Sequence, residues 1–137
     1  MANVDVFLDV RNWANTDPSN GYKNTPPSSI GTTYSYKYSG GSDGNGGVTF
    51  AVGSGTSTIT VTVGTDARYT IDPTQGVQFA GSDTSDLSWA MGPSPTVVVI
   101  TDTDISDLDD EYKVVVRDSV ANCTFVCDPP IKNVPQT

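Results

Sequence analysis

Histidine is absent from all 137 residues. That removes the commonest general base, every Ser-His or Cys-His arrangement, and copper or zinc sites of the usual kind. A cupredoxin, otherwise a natural thought for a small acidic β-rich chain, is excluded on the same ground. Asp-Thr-Gly and Asp-Ser-Gly are missing too, and with them the aspartic protease pattern. Leucine is scarce, and no window repeats apolar residues at helical spacing, so helices are not expected. The longest aliphatic run, Val97–Ile100, is far too short to span a bilayer. Basic residues are lacking over a long stretch: between Tyr69 and Tyr112 there is no Lys or Arg, while nine Asp or Glu fall there. With a net charge of −9, such a surface repels phosphate backbones and anionic membranes, which excludes nucleic-acid and membrane partners. Two cooperating carboxylates are recognised by geometry rather than spacing, and they are the one catalytic device left open. With so little inventory the chain is expected not to be an enzyme.

What is present is β-forming. Thr, Val, Ser and Gly are abundant, and a chain of this length fits a single domain, 1–137. Val4–Val10 alternates, with Val4, Val6, Leu8 and Val10 on one face and Asp5, Phe7 and Asp9 on the other. Residues 11–32 carry Asp17-Pro18 and Pro26-Pro27 among many Asn, Ser and Thr, and are expected as a long loop or insertion. Thr33–Tyr38 places Tyr34, Tyr36 and Tyr38 on one face. The Gly-rich loop at 39–47 could join it to Val48–Val52 as a hairpin. Ser57–Val63 alternates most clearly, with Ile59, Val61 and Val63 inward and Thr58, Thr60 and Thr62 outward. Arg68–Ile71 and Val77–Ala80 flank a Pro-initiated turn at Asp72–Gly76, and Leu87–Ala90 is a weaker strand. Val97–Ile100, Tyr112–Val116 and Cys123–Cys127 complete the set. Turn signals at short intervals between so many short strands predict an antiparallel, immunoglobulin-like β-sandwich.

Cys123 and Cys127 sit four apart in one predicted strand, which separates their Cα atoms by roughly 13 Å, beyond disulfide reach. They are expected as buried free thiols, which leans towards a reducing compartment. Met1–Val10 has no basic n-region and carries Asp5 and Asp9 where a signal peptide would be apolar, so a cytoplasmic location is expected.

The most unusual composition is the acidic connection from Asp102 to Glu111, with six carboxylates in ten residues. Asp102, Asp104, Asp107, Asp109 and Glu111 are the candidate ligands for calcium, a hard cation that prefers oxygen donors. The spacing begins like a calcium loop but lacks the Gly that an EF-hand needs at its sixth position. A solvated connection between strands is the competing reading, since Asp readily bonds its own backbone in turns. No other cofactor is expected. The Tyr34, Tyr36 and Tyr38 ladder, with Trp13 nearby, reads either as a stacking surface for sugars or a partner, or as the aromatic half of the core. Asn122-Cys123-Thr124 matches a glycosylation acceptor.

The second half resembles the DP-EP family, small bacterial β-sandwich proteins without a known role. The resemblance lies in the order of pieces: Gly76-Val77-Gln78-Phe79-Ala80-Gly81 before an aliphatic strand, acidic Thr101-Asp102-Thr103-Asp104, the Tyr112–Val116 strand, and closing Asp128-Pro129-Pro130-Ile131-Lys132-Asn133-Val134-Pro135. It implies an immunoglobulin-like sandwich and no activity. These readings lead to a non-catalytic domain acting by protein contact or self-association. The alternative is a calcium-dependent binding module, possibly for glycans, built on the acidic loop.

Overall fold

The computed structural model describes residues 3–41, 47–51, 55–64, 66–80, 86–103, 109–127 and 130–134. The chain is all-β. Among the described residues twelve strands form two sheets, with one 3-10 turn at Pro18–Asn20. Sheet A runs in the order β2 (Lys23–Asn24), β3 (Ser35–Gly40), β1 (Asn3–Arg11), β5 (Ser57–Gly64), β9 (Val97–Asp102), β8 (Leu87–Met91). Sheet B is built on β10 (Asp109–Asp118). On one side β10 pairs with β11 (Cys123–Cys127) and β12 (Pro130–Val134), on the other with β6 (Tyr69–Ile71) and β7 (Val77–Ala80). β12 in turn pairs with β4 (Val48–Ala51).

The chain changes sheet repeatedly, which decides its strand directions. The sheets are mainly antiparallel, as alternation predicts, but β1 lies parallel to β5 and β12 parallel to β4. The expected hairpin of the Tyr-rich strand with the next one does not form: β3 pairs with β1 and β2, and β4 belongs to the other sheet. Both β3 and β4 can bury one face, and alternation carries no information about which neighbour accepts the hydrogen bonds. A proline opens β12 without preventing its pairing. The chain resumes along β10 as β12, with Pro130 at its first position, where the missing N–H disrupts the ladder least.

The inner faces meet in one core. Sheet A contributes Val6, Leu8, Val10, Ile59, Val61, Val63, Val98 and Ile100, and sheet B contributes Ile71, Tyr112, Val114, Val116 and Phe125, all buried. The tyrosine ladder belongs here. Tyr34, Tyr36 and Tyr38 are all buried, Tyr36 and Tyr38 in register with Val10 and Leu8 of β1. The Tyr34 ring stacks on Phe125 at 4.0 Å, and the Tyr38 hydroxyl donates to the Cys127 carbonyl at 2.7 Å. Each ring thus joins the sheets by packing and by a satisfied polar tip. Cys123 and Cys127 are buried, and neither is in a disulfide.

A single carboxylate ties these parts together. Asp118, at the end of β10, is fully buried and accepts the Arg68 fork at 2.9 and 2.8 Å. It also accepts the Tyr34 hydroxyl at 2.6 Å and the turn amides of Val120 and Ala121 at 3.0 and 3.2 Å. Burial alone would raise its carboxyl, but these donors outweigh it and hold the pKa at about 2. At the next turn, Asn122 takes a positive φ of 54°, a conformation that Asn tolerates, and its side chain accepts from Arg117 at 2.8 Å.

Candidate functional site

The residues of β1 that point away from the core are Asp5, Phe7, Asp9 and Arg11. Beyond Arg11 the chain does not wander. Asn15 Nδ2 donates to the carbonyls of Asp17 and Tyr22 at 2.8 and 3.0 Å, while its Oδ1 accepts from Arg11 and Asn20 at 3.0 and 2.9 Å. Asp17 caps the 3-10 turn by accepting the Ser19 amide at 3.0 Å. Gly21 then reverses the chain at a φ of 81°, open to a residue without a Cβ. The segment read as a long insertion is therefore a compact loop organised on Asn15, and it folds back over the outer face of β1.

That fold-back builds an aromatic and charged cluster. The Arg11 guanidinium lies 3.6 Å from the centroid of the Tyr22 ring and 5.1 Å from that of Trp13. It is held in plane by Ser35 Oγ at 3.1 Å as well as by Asn15. The Tyr22 hydroxyl donates to Asp9, and that bond raises the phenol's pKa, aided by burial. Trp13 is left 55% exposed, a large apolar ring at the rim. Below it, where β1 runs past the end of β5, opens a cleft of about 350 Å³ lined by Asp9, Val10, Arg11, Asn12, Trp13, Asp66 and Tyr69.

Tyr69 is the unusual member. Its ring packs edge-on against Tyr34 and Phe125 and the residue is only 2% exposed, yet it lines the cleft. None of the described residues donates to or accepts from its hydroxyl. Burial, opposed by nearby Arg68, pushes the phenol up to about 12, so the group is neutral and able both to donate and to accept.

The acidic connection is placed differently. Asp102 is fully buried on the core-facing side of β9, in register with Ser57 and Leu87. Asp104 and Asp107 lie outside the described residues. Of Asp109 and Glu111 only the backbone is described, within β10 opposite Lys132 and Pro130. Among the described residues no three His, Cys, Asp or Glu side chains gather as a metal would require. The two halves of the aromatic reading are likewise separated: the Tyr34–Tyr38 ladder is core, and Trp13 alone faces solvent. The sequence signal for the cleft was modest. Continuing the alternation of Val4–Val10 by one step puts Arg11 outward beside Asp9, but only the Asn15 turn brings Tyr22 there, and nothing local marks Tyr69. No family model matches the chain, and no curated protein does.

Proposed function

We propose that this chain is a non-catalytic β-sandwich of immunoglobulin-like type that works by contact with another macromolecule through its Trp13 end. The observation that carries the reading is a tryptophan exposed over half its surface yet held by a fixed arginine. Isolated exposed apolar residues are ordinary, but an exposed tryptophan beside an oriented guanidinium at a cleft has the composition of an interaction anchor. The immunoglobulin-like assignment is supported by two mainly antiparallel sheets sharing one core and by the order of pieces in the second half. A net charge of −9 favours a partner other than nucleic acid. Although Asp9 and Asp66 line the same cleft, Asp9 already accepts the Tyr22 hydroxyl, so the pair is read as recognition chemistry.

The first test is self-association. Size-exclusion chromatography with light scattering, run over a hundredfold concentration range, compares the wild type with Trp13→Ala. If a second copy is the partner, the wild type is a dimer or larger and Trp13→Ala shifts its midpoint by about tenfold or more, the size of an anchor truncation. An association that Trp13→Ala leaves untouched would contradict the assignment of the contact to this end.

A further inference from the structure

We infer that the Trp13 cleft receives a neutral sugar unit, so that the macromolecule contacted is a glycan. This rests on the reading of the Trp13 end as a contact surface and goes beyond it by naming the ligand chemistry.

Three observations converge on it. The first is Tyr69, which lines the cleft although the residue is 98% removed from solvent, and whose hydroxyl makes no hydrogen bond with the described residues. A neutral phenol at the cleft wall has a donor and an acceptor to offer whatever occupies the cleft. The second is the charge balance. Asp9 and Asp66 line the cleft, but so does Arg11. A cationic ligand would meet the Arg11 guanidinium at the Trp13 ring, and an anionic one would meet two carboxylates. A neutral ligand meets neither penalty. It also needs both donors and acceptors, because Asp9 and Asp66 accept, Arg11 donates, and Asn12 and Tyr69 do both. Vicinal hydroxyls on a ring supply that alternation. The third is Trp13 itself, whose exposed indole presents a flat apolar platform at the rim. The C–H face of a pyranose is the apolar surface that suits such a platform while its hydroxyl edge faces the polar floor. At about 350 Å³ the cleft lies near the low end of small-ligand sites, ~300–1,000 Å³. It holds a terminal or single internal sugar rather than a long segment.

The test is saturation-transfer-difference NMR on the full chain against neutral oligosaccharides: cello-, malto-, manno-, galacto- and chito-hexaose, each with and without EDTA. A sulfated heparin hexasaccharide and an oligolysine peptide serve as charged comparisons. At least one neutral series is expected to bind at millimolar or better affinity, unchanged by EDTA. Trp13→Ala lowers that affinity by about tenfold or more, and Tyr69→Phe by about 2- to 12-fold, the worth of one hydrogen bond. Val120→Ala, on an exposed turn outside the cleft, leaves it unchanged. Circular dichroism melts keep the Tyr69→Phe result interpretable. The inference is overturned if no neutral oligosaccharide binds, if a charged probe binds in preference, or if binding is indifferent to both Trp13→Ala and Tyr69→Phe. Failure of the underlying contact reading looks different. If no sugar binds but Trp13→Ala dissolves an oligomer in light scattering, the sugar inference falls and the contact surface stands. If neither occurs, both fall.

Discussion

Asp118→Ala is expected to destabilise the fold by about 3–5 kcal/mol, the cost of removing one partner from a buried ion pair. The carboxylate is fully buried and receives five hydrogen bonds: two from Arg68, one from Tyr34 and one each from the amides of Val120 and Ala121. Alanine takes the acceptor from all five donors: the Tyr34 hydroxyl keeps only its 3.1 Å contact with Cys123 Sγ, and Arg68, itself 20% exposed, loses its ion-pair partner, at the point where Tyr34 of the sheet A side meets the end of β10. Against a typical total of about 5–15 kcal/mol, this is at least about a fifth of the stability. Urea unfolding of the two proteins measures it directly; a loss below about 1 kcal/mol would mean the network is peripheral to the fold. The same group shapes the acid limb. Its folded pKa of about 2 lies below the unfolded value near 3.9. Its stabilisation is therefore complete above about pH 5 and disappears as the pH falls to 2, about 2–3 kcal/mol in all. Asp118→Ala should show a correspondingly flatter loss of stability between those pH values.

The second large effect lies at the opposite end of the pH scale. Burial holds Tyr69 at about 12 and raises Tyr34 further, the latter helped by the neighbouring Asp118 carboxylate and Cys123. A phenol whose folded pKa exceeds its unfolded value near 10 stabilises the fold fully below pH 10. That contribution is lost as the pH rises through 10 to 12, and for Tyr69 alone it amounts to about 3 kcal/mol. The expected result is cooperative alkaline unfolding above pH 10, with a delayed step in phenolate absorbance coincident with loss of near-ultraviolet circular dichroism. A single smooth titration of all six tyrosines near pH 10 would show that these rings are hydrated.

Which features could be read in advance follows from how each leaves its mark on the chain. Strands with one buried and one wet face write a period of two into their own residues, and β1, β5, β7 and β11 lie where alternation places them. Pairing leaves no such mark. The hairpin expected from β3 and β4 fails because the two strands are near in sequence but serve different sheets, and β12 escapes notice because it opens on Pro130 yet still pairs with β10. Polar burial is the other blind spot. Asp118 and Asp102 look like solvated acids in turns, and only long-range partners such as Arg68, fifty residues earlier, make a buried carboxylate tolerable. The cleft combines both kinds. Trp13 and Arg11 are visible as an aromatic and a cation at the end of an alternating strand, whereas Tyr22 arrives through the Asn15 turn and Tyr69 from the opposite sheet. A tyrosine in a strand reads as core, and Tyr69 is core for its ring although the residue also lines the cleft.

The most direct measurement of the account is a two-dimensional amide spectrum of the isotopically labelled chain titrated with the neutral hexasaccharides. Two indole resonances are present, from Trp13 at the rim and from Trp89, which packs partly buried against the core. The account predicts that the Trp13 indole and the amides of Arg11, Asn12, Asp66 and Tyr69 move together and saturate, while Trp89 stays in place. Saturable shifts confined to other surfaces, with Trp13 unmoved, would contradict it.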